Sequence, residues 1–346
     1  MATNSHIPVS GARRRLPILL SAAALLVAGG IGVHARESTA AGKAEVPASY
    51  HWPVKPFDRQ HPVRGGFSDP RTVFSSRATL DGVLRGRGSF TLHRGIDISA
   101  PDGTPVYPVA SGEVTVANAE RIRVNSGGGR SFEYWHIHRT VSVGDHVEAY
   151  TTVIGHVMRS AQHVHLTELD NEFAVNPLAP GHLGPYRDST TPQVTSISFR
   201  RVETGRDLLP GALRGNVILV AAAEDLPTID APGGWRGLAI TPAVVSWEVR
   251  GLDGKAVVPR QIAYDARGRL PGDGNFWKVY VRGTYQNMAM FRGHFSYGQR
   301  GAYLFRLSPA KFNTRQLRNA AYDLVVIATD IRGNSSSLTR RFAVDN

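Results

Sequence analysis

No cysteine occurs among the 346 residues. That absence excludes thiol nucleophiles, thiolate metal ligands and disulfide staples, so any metal must rest on His, Asp or Glu. Long stretches of strong helix formers are also missing. Instead 36 Gly and 21 Pro lie scattered among Val-, Thr- and Tyr-rich runs, a composition that suits short strands joined by turns. Acidic charge is in deficit, with 28 Asp and Glu against 40 Lys and Arg, for a formal net charge of +12. The imbalance is local. Residues 1–35 carry 3 basic and no acidic groups, residues 36–188 carry 16 of each, and residues 189–346 carry 21 basic against 12 acidic. Ten of the thirteen histidines fall between His51 and His182, so imidazole and excess basic charge mark different regions.

Arg13, Arg14 and Arg15 precede an apolar run from Leu16 to Val33, and Val33-His34-Ala35 then offers small residues at signal-peptidase spacing. This order predicts a secretory leader over residues 1–35 and a working part that is secreted or held in the cell envelope. The competing expectation is an uncleaved anchor, because 18 apolar residues reach the lower limit for spanning a bilayer; a membrane becomes a partner only in that case. Residues 36–50 are small and polar and read as a linker. From residue 51 to 188 segments such as VYPVASGEVTVA, SFEYWHIH and HVEAYTTVIGHV predict one β-rich domain. The Gly-, Pro- and Thr-bearing stretch GHLGPYRDSTTPQV closes it. Over residues 189–346 about seven short strands, among them NVILVA, VVSWEV and YDLVVIA, predict a basic Ig-like β-sandwich. His294 stands alone there and reads as a surface or packing residue.

Three histidine-bearing motifs stand out: HRGID at 93–97, WHIH at 135–138 and HVH at 163–165. On a strand His163 and His165 project from one face about 7 Å apart, so one can bind a metal while the other stands beside it. His93 and Asp97 would lie about 13 Å apart on a straight strand, and Gly95 permits the bend that brings them together. Tyr134 and His138 share the predicted strand face of His136. Tyr134 is a candidate hydrogen-bond donor or a packing residue, and His138 a supporting or an exposed one.

The run HRGIDISAPDGTPVYPVASGEV, then YWHIH, VSVGDHVEAYTTVIGHV and HVHLTELDNEFAVNPL, resembles the successive core segments of the lysostaphin-like (LytM-type) zinc metallopeptidases that cut peptidoglycan. The resemblance covers about residues 60–180. It implies a small open groove of antiparallel sheet, Zn²⁺ held by His93, Asp97 and His165, and proton-handling roles for His136 and His163. It also implies peptidoglycan as the substrate. The sequence departs from the family pattern in three places. The segment before the paired histidines is only Met158 to Gln162, Thr167 stands where the family usually has Glu, and Glu168 comes one residue late, on the opposite strand face.

Two other functions fit parts of the pattern. A biotinyl-type carrier would share the hairpin-like segments, but it needs a lysine at a hairpin tip, and the only lysines between 36 and 188 are Lys43 and Lys55. A non-catalytic docking module that activates another wall hydrolase would be expected to lack metal ligands, whereas His93, Asp97 and His165 are all present. The basic C-terminal part suggests either retention on anionic wall polymers or a solvated surface that only shapes or shields the groove. Nucleic acid is not expected as a partner, because no reading motif occurs. On this view removal of residues 190–346 should leave zinc binding intact.

Overall fold

Strands β1 (Val63–Gly65), β2 (Pro70–Val73), β3 (Ser89–Leu92), β4 (Ile96–Ser99) and β5 (Pro105–Val106) open the fold of the computed structural model. They are followed by β6 (Gly112–Ala117), β7 (Arg121–Gly127), β8 (Arg130–Trp135), β9 (Ile137–Arg139), β10 (His146–Val147), β11 (Gly155–Val157), β12 (His163–Asp170) and β13 (Phe173–Val175). The structure describes residues 48–73, 89–287, 300–308 and 311–346. The expected leader, most of the linker and His294 lie outside them. Among the described residues no helix is long and apolar enough to cross a membrane.

Eight of these strands form one sheet in the order β1-β4-β12-β8-β7-β6-β10, with β13 added to β12. Strands β5, β11 and β9 form a second sheet, and β2 pairs with β3. All of these pairings are antiparallel. Alternation fixes which side chains reach the groove. Ile96 and Ile98 of β4 and Val164 and Leu166 of β12 are buried in the core, while Asp97, His163, His165 and Thr167 point to the opposite face. Strands β4 and β12 pair with His165 opposite Asp97 and His163 opposite Ser99, so register alone sets the spacing of the site.

The chain continues with β14 (Gln193–Arg201), β15 (Asp207–Leu208), β16 (Asn216–Glu224), β17 (Val244–Gly251), β18 (Ala256–Asp265), β19 (Leu304–Arg306), β20 (Phe312–Asn313), β21 (Ala321–Thr329) and β22 (Ser335–Ala343). One sheet runs β15-β14-β16-β19 with β20 on β16; the other runs β18-β17-β21-β22. The two pack through buried aromatics, with the Phe199 and Phe342 rings 5.3 Å apart and Trp247 set edge-on to Phe312 at 5.9 Å. A single helical turn, Phe276–Val279, is the one α-helix among the described residues. The expectation of an all-β chain therefore holds.

These later sheets do not stand apart from the groove. The loop after β1 is held from the C-terminal side, where Thr241 donates from its N–H and its hydroxyl to Asp69 Oδ1, both at 2.9 Å. The Tyr280 hydroxyl donates to Ser68 O at 2.9 Å, and Gln286 Oε1 accepts from the Thr72 N–H at 2.7 Å. Ser68 and Asp69 in turn exchange backbone hydrogen bonds with His93 at 2.8 and 2.9 Å.

Candidate metal centre

Three donor atoms converge at the β4–β12 seam. His93 Nε2 lies 2.7 Å from His165 Nδ1 and 3.2 Å from Asp97 Oδ1, and His165 Nδ1 lies 3.1 Å from the same oxygen. The outer nitrogen of each ring is already engaged. His93 Nδ1 donates to Gly66 O at 2.7 Å, and His165 Nε2 lies at hydrogen-bond distance, 2.7 Å, from the Thr167 hydroxyl. The carbonyl partner fixes neutral His93 as the Nδ1–H tautomer, so its Nε2 faces the carboxylate oxygen as a lone pair. Tetrahedral zinc with ligands at about 2.0–2.1 Å would space its donors at roughly 3.3 Å, within a few tenths of an ångström of two of the three separations. Two imidazoles and one carboxylate suit that ion, and the residues present fit it.

Electrostatics keep the donors in ligand form. Burial, helped by the Arg71 charge, pushes the His93 imidazole down to about 3, so it is neutral at physiological pH. Burial would raise the Asp97 carboxyl, but His93, His163 and Arg71 outweigh it and hold that group well below the usual carboxylate range. Arg71 Nη2 binds Asp97 Oδ2 at 2.8 Å, which occupies the second oxygen and leaves Oδ1 for the centre. Gly65, paired opposite Asp97 in β1, makes room for this contact, because a Cβ there would sit 2.6 Å from Asp97 Oδ2 and 2.7 Å from Arg71 Nη2.

Two further imidazoles flank the triangle. His163 Nε2 is 3.6 Å from Asp97 Oδ1, and the His136 and His163 rings stand 4.5 Å apart. His136 occupies a left-handed backbone position, φ 64°, between β8 and β9. That break in the strand re-aims the ring and carries the strain a non-glycine residue bears there. Burial lowers the pKa of both groups, that of His163 to about 4.

The family model for peptidase family M23 matches residues 91–177. This segment is a family M23 domain. No curated protein matches the chain. Among solved structures the chain is similar to a zinc-containing peptidase from Vibrio cholerae, at 22% identity over 38% of this chain and 39% of that one, TM-score 0.29. It is similar to a chain of the SpoIIQ–SpoIIIAH pore-forming complex at 22% identity, over 39% and 92% of the two chains, TM-score 0.30. For LytU the figures are 21% identity, 36% and 86%, and TM-score 0.25.

Within the M23 domain all five histidine and aspartate candidates lie on one face, whereas two weighed neighbours do not join them. Tyr134 is fully buried and its oxygen accepts the Val109 N–H at 2.8 Å, so it packs and supports a loop. His138 is exposed and lies opposite His156 across β9–β11. The His136 turn separates both from its own direction, because the strand alternation assumed for WHIH breaks there. Thr167 stands in the place of the family's usual Glu and lies at hydrogen-bond distance from His165, while Glu168 belongs to another network. Its carboxylate accepts from the Tyr50 hydroxyl at 2.6 Å, Arg130 Nε at 2.9 Å and His182 Nδ1 at 2.8 Å.

Sequence reasoning missed Arg64 and Arg71. Arg64 is buried, its Nη2 lies 2.6 Å from His163 Nδ1, and its guanidinium stacks on Trp235 at 4.3 Å. Nothing in local spacing could have found Trp235, which arrives from a turn of the C-terminal sheets. The short segment before His163 is braced by Asp102, whose carboxylate accepts from the Ser160 and Gln162 N–H groups at 2.8 and 3.0 Å.

Proposed function

We propose that the chain is a secreted zinc metalloendopeptidase that hydrolyses peptide bonds of bacterial cell-wall peptidoglycan, with His93, Asp97 and His165 as metal ligands and His136 and His163 as proton-handling groups. The observation that carries this reading is the convergence of three possible ligand atoms with two further imidazoles beside them, inside an M23 domain. When bound, zinc supplies Lewis-acid polarisation of a carbonyl and activation of water. The side chains do the rest. His136 and His163 are kept neutral by burial and can take up and return a proton. His163 Nδ1 meets both the Arg64 guanidinium, which can only donate, and Ala161 O at 2.7 Å, which can only accept. Each tautomer satisfies one of the two contacts, and Nε2 is the nitrogen turned toward Asp97.

The C-terminal sheets would hold the enzyme on anionic wall polymers. Supporting this is a cavity of about 780 Å³ bordered by Arg200, Arg206, Arg282 and Arg306 against Glu203 and Asp207, the latter paired with Arg200 at 3.1 Å, in which the buried Arg306 Nε has no hydrogen-bond partner. The decisive experiment combines metal analysis of purified protein with mass spectrometry of fragments released from walls of defined chemistry. Stoichiometric zinc and peptide-bond fragments are expected. Zinc-free protein that releases nothing yet stimulates a wall amidase would replace the enzyme by the docking module.

A further inference from the structure

Far from the histidines, three carboxylates meet beneath the C-terminal sheets. Asp188 lies before β14, Asp225 directly follows β16, and Asp330 opens the turn between β21 and β22. One oxygen of each lies within 4.8 Å of the others. Two of them are well supplied with donors. Asp330 Oδ1 accepts the N–H groups of Arg332, Gly333 and Asn334 at 2.8, 2.6 and 2.9 Å, and Asp188 Oδ1 accepts from the Thr190 and Thr228 hydroxyls at 2.6 and 2.7 Å. Asp225 differs. It is 3% exposed, and its Oδ1 is enclosed with no hydrogen-bond partner. Together with Asp188 it borders a cavity of about 20 Å³, room for one small ion or water. Among the described residues none of the three forms an ion pair with Lys, Arg or His at 4.0 Å or less.

Buried carboxylates gathered without a counter-charge are costly, and an enclosed, unpartnered oxygen among them needs something to bind. We propose that Asp188, Asp225 and Asp330 form a Ca²⁺ site. The donors are all oxygens, which selects a hard cation over zinc or copper. Ca²⁺ takes most of its ligands from protein carboxylates and carbonyls, whereas Mg²⁺ keeps several waters, for which a cavity of about 20 Å³ has no room. The ion would tie the segment entering β14 to the end of β16 and the β21–β22 turn. The same cavity is bordered by Gly66 and Phe67, the stretch whose carbonyl orients His93.

The test uses the zinc-loaded full chain freed of calcium by gel filtration. The Tyr186 hydroxyl lies 3.3 Å from Asp188 Oδ2, so Tb³⁺ bound here should luminesce on tyrosine excitation and be displaced by Ca²⁺. Calcium at about 1 mM, within the affinity range of extracellular modules, should raise the thermal midpoint by several degrees. Asp225→Asn and, independently, Asp188→Asn should weaken Ca²⁺ binding at least tenfold, abolish that rise and leave zinc content unchanged. A wild-type midpoint indifferent to calcium, with Tb³⁺ signal that calcium does not compete, overturns the site. So does a calcium response of equal size in both variants; if neither variant folds, the wild-type measurements decide. Because zinc content and hydrolysis are read separately, failure here leaves the peptidase reading untouched.

Discussion

Thr167 decides which way the His165 ring turns. When its hydroxyl oxygen takes the Nε2 proton, Nδ1 faces the centre as a lone pair. Thr167→Val keeps the shape and removes the acceptor, so zinc affinity should fall about 10–100-fold, measured by competition with a chromophoric chelator, while the far-ultraviolet circular dichroism stays unchanged. His93→Ala, Asp97→Ala and His165→Ala should lose both zinc and hydrolysis. His163→Ala should retain zinc and lose about 10²–10⁴ in turnover, the usual range for a missing acid–base group. Zinc held at wild-type affinity by His165→Ala would refute the ligand set. Glu168, on the other strand face, makes a prediction about pH. Burial would raise its pKa, but the hydrogen bonds from His182 and Tyr50 and the nearby Arg130 charge outweigh it and set the folded value below the ordinary 4.5. Its contribution is therefore complete above pH 4.5 and drains away as pH falls through the folded value. Denaturant titrations should show wild type losing stability below pH 4.5 more steeply than Glu168→Gln; parallel curves would remove Glu168 from the account.

At the level of elements, the β-rich character and the histidine-bearing strands were legible because alternation, β-branched residues and turn dipeptides are local signals. HVHLTELD shows this best, since period-two alternation alone separates Thr167 from Glu168. Where the local rule failed, a break in the strand was responsible: WHIH reads as one strand, but His136 sits in a left-handed conformation that sends Tyr134 to the core and leaves His138 exposed. Gly95 was expected to supply a bend, and it lies at one, yet a second demand is stronger. A Cβ there would stand 2.0 Å from Leu166 O of β12. Gly95→Ala should push β4 from β12, part Asp97 from its register partner His165, and cost at least about 1–3 kcal/mol with loss of zinc affinity. Chemical denaturation and metal titration of one variant read both effects. Arg64 and Arg71 were invisible for a different reason: an arginine's role depends on what lies across the fold, and His163 is 99 residues from Arg64.

Considered whole, the molecule offers a rival to one expectation. Residues 190–346 were expected to be dispensable for zinc binding. Yet Thr241, Tyr280 and Gln286 grip the segment from Ser68 to Thr72, and that segment shares backbone hydrogen bonds with His93. A chain ending at residue 189 should therefore bind zinc more weakly than the full chain, by tenfold or more in a chelator competition. Equal affinities would show that the grip is unnecessary. The arginine-lined cavity adds a further expectation: Arg206→Glu with Arg282→Glu should reduce pelleting with cell walls at low salt and flatten its salt dependence, leaving zinc content alone.

That grip also sets an order in time. Asp69 and its partner Thr241 are 172 residues apart, and Ser68 and Tyr280 are 212 apart. A chain made from its N-terminus can pair β4 with β12 once residue 170 has emerged, but the lip that orients His93 has nothing to close on until the last third of the protein exists. Contacts of such long sequence separation form late and slowly. Synthesis itself would then set the order of assembly, because an unfinished copy would carry every histidine of the candidate centre and still lack the clasp that orients His93.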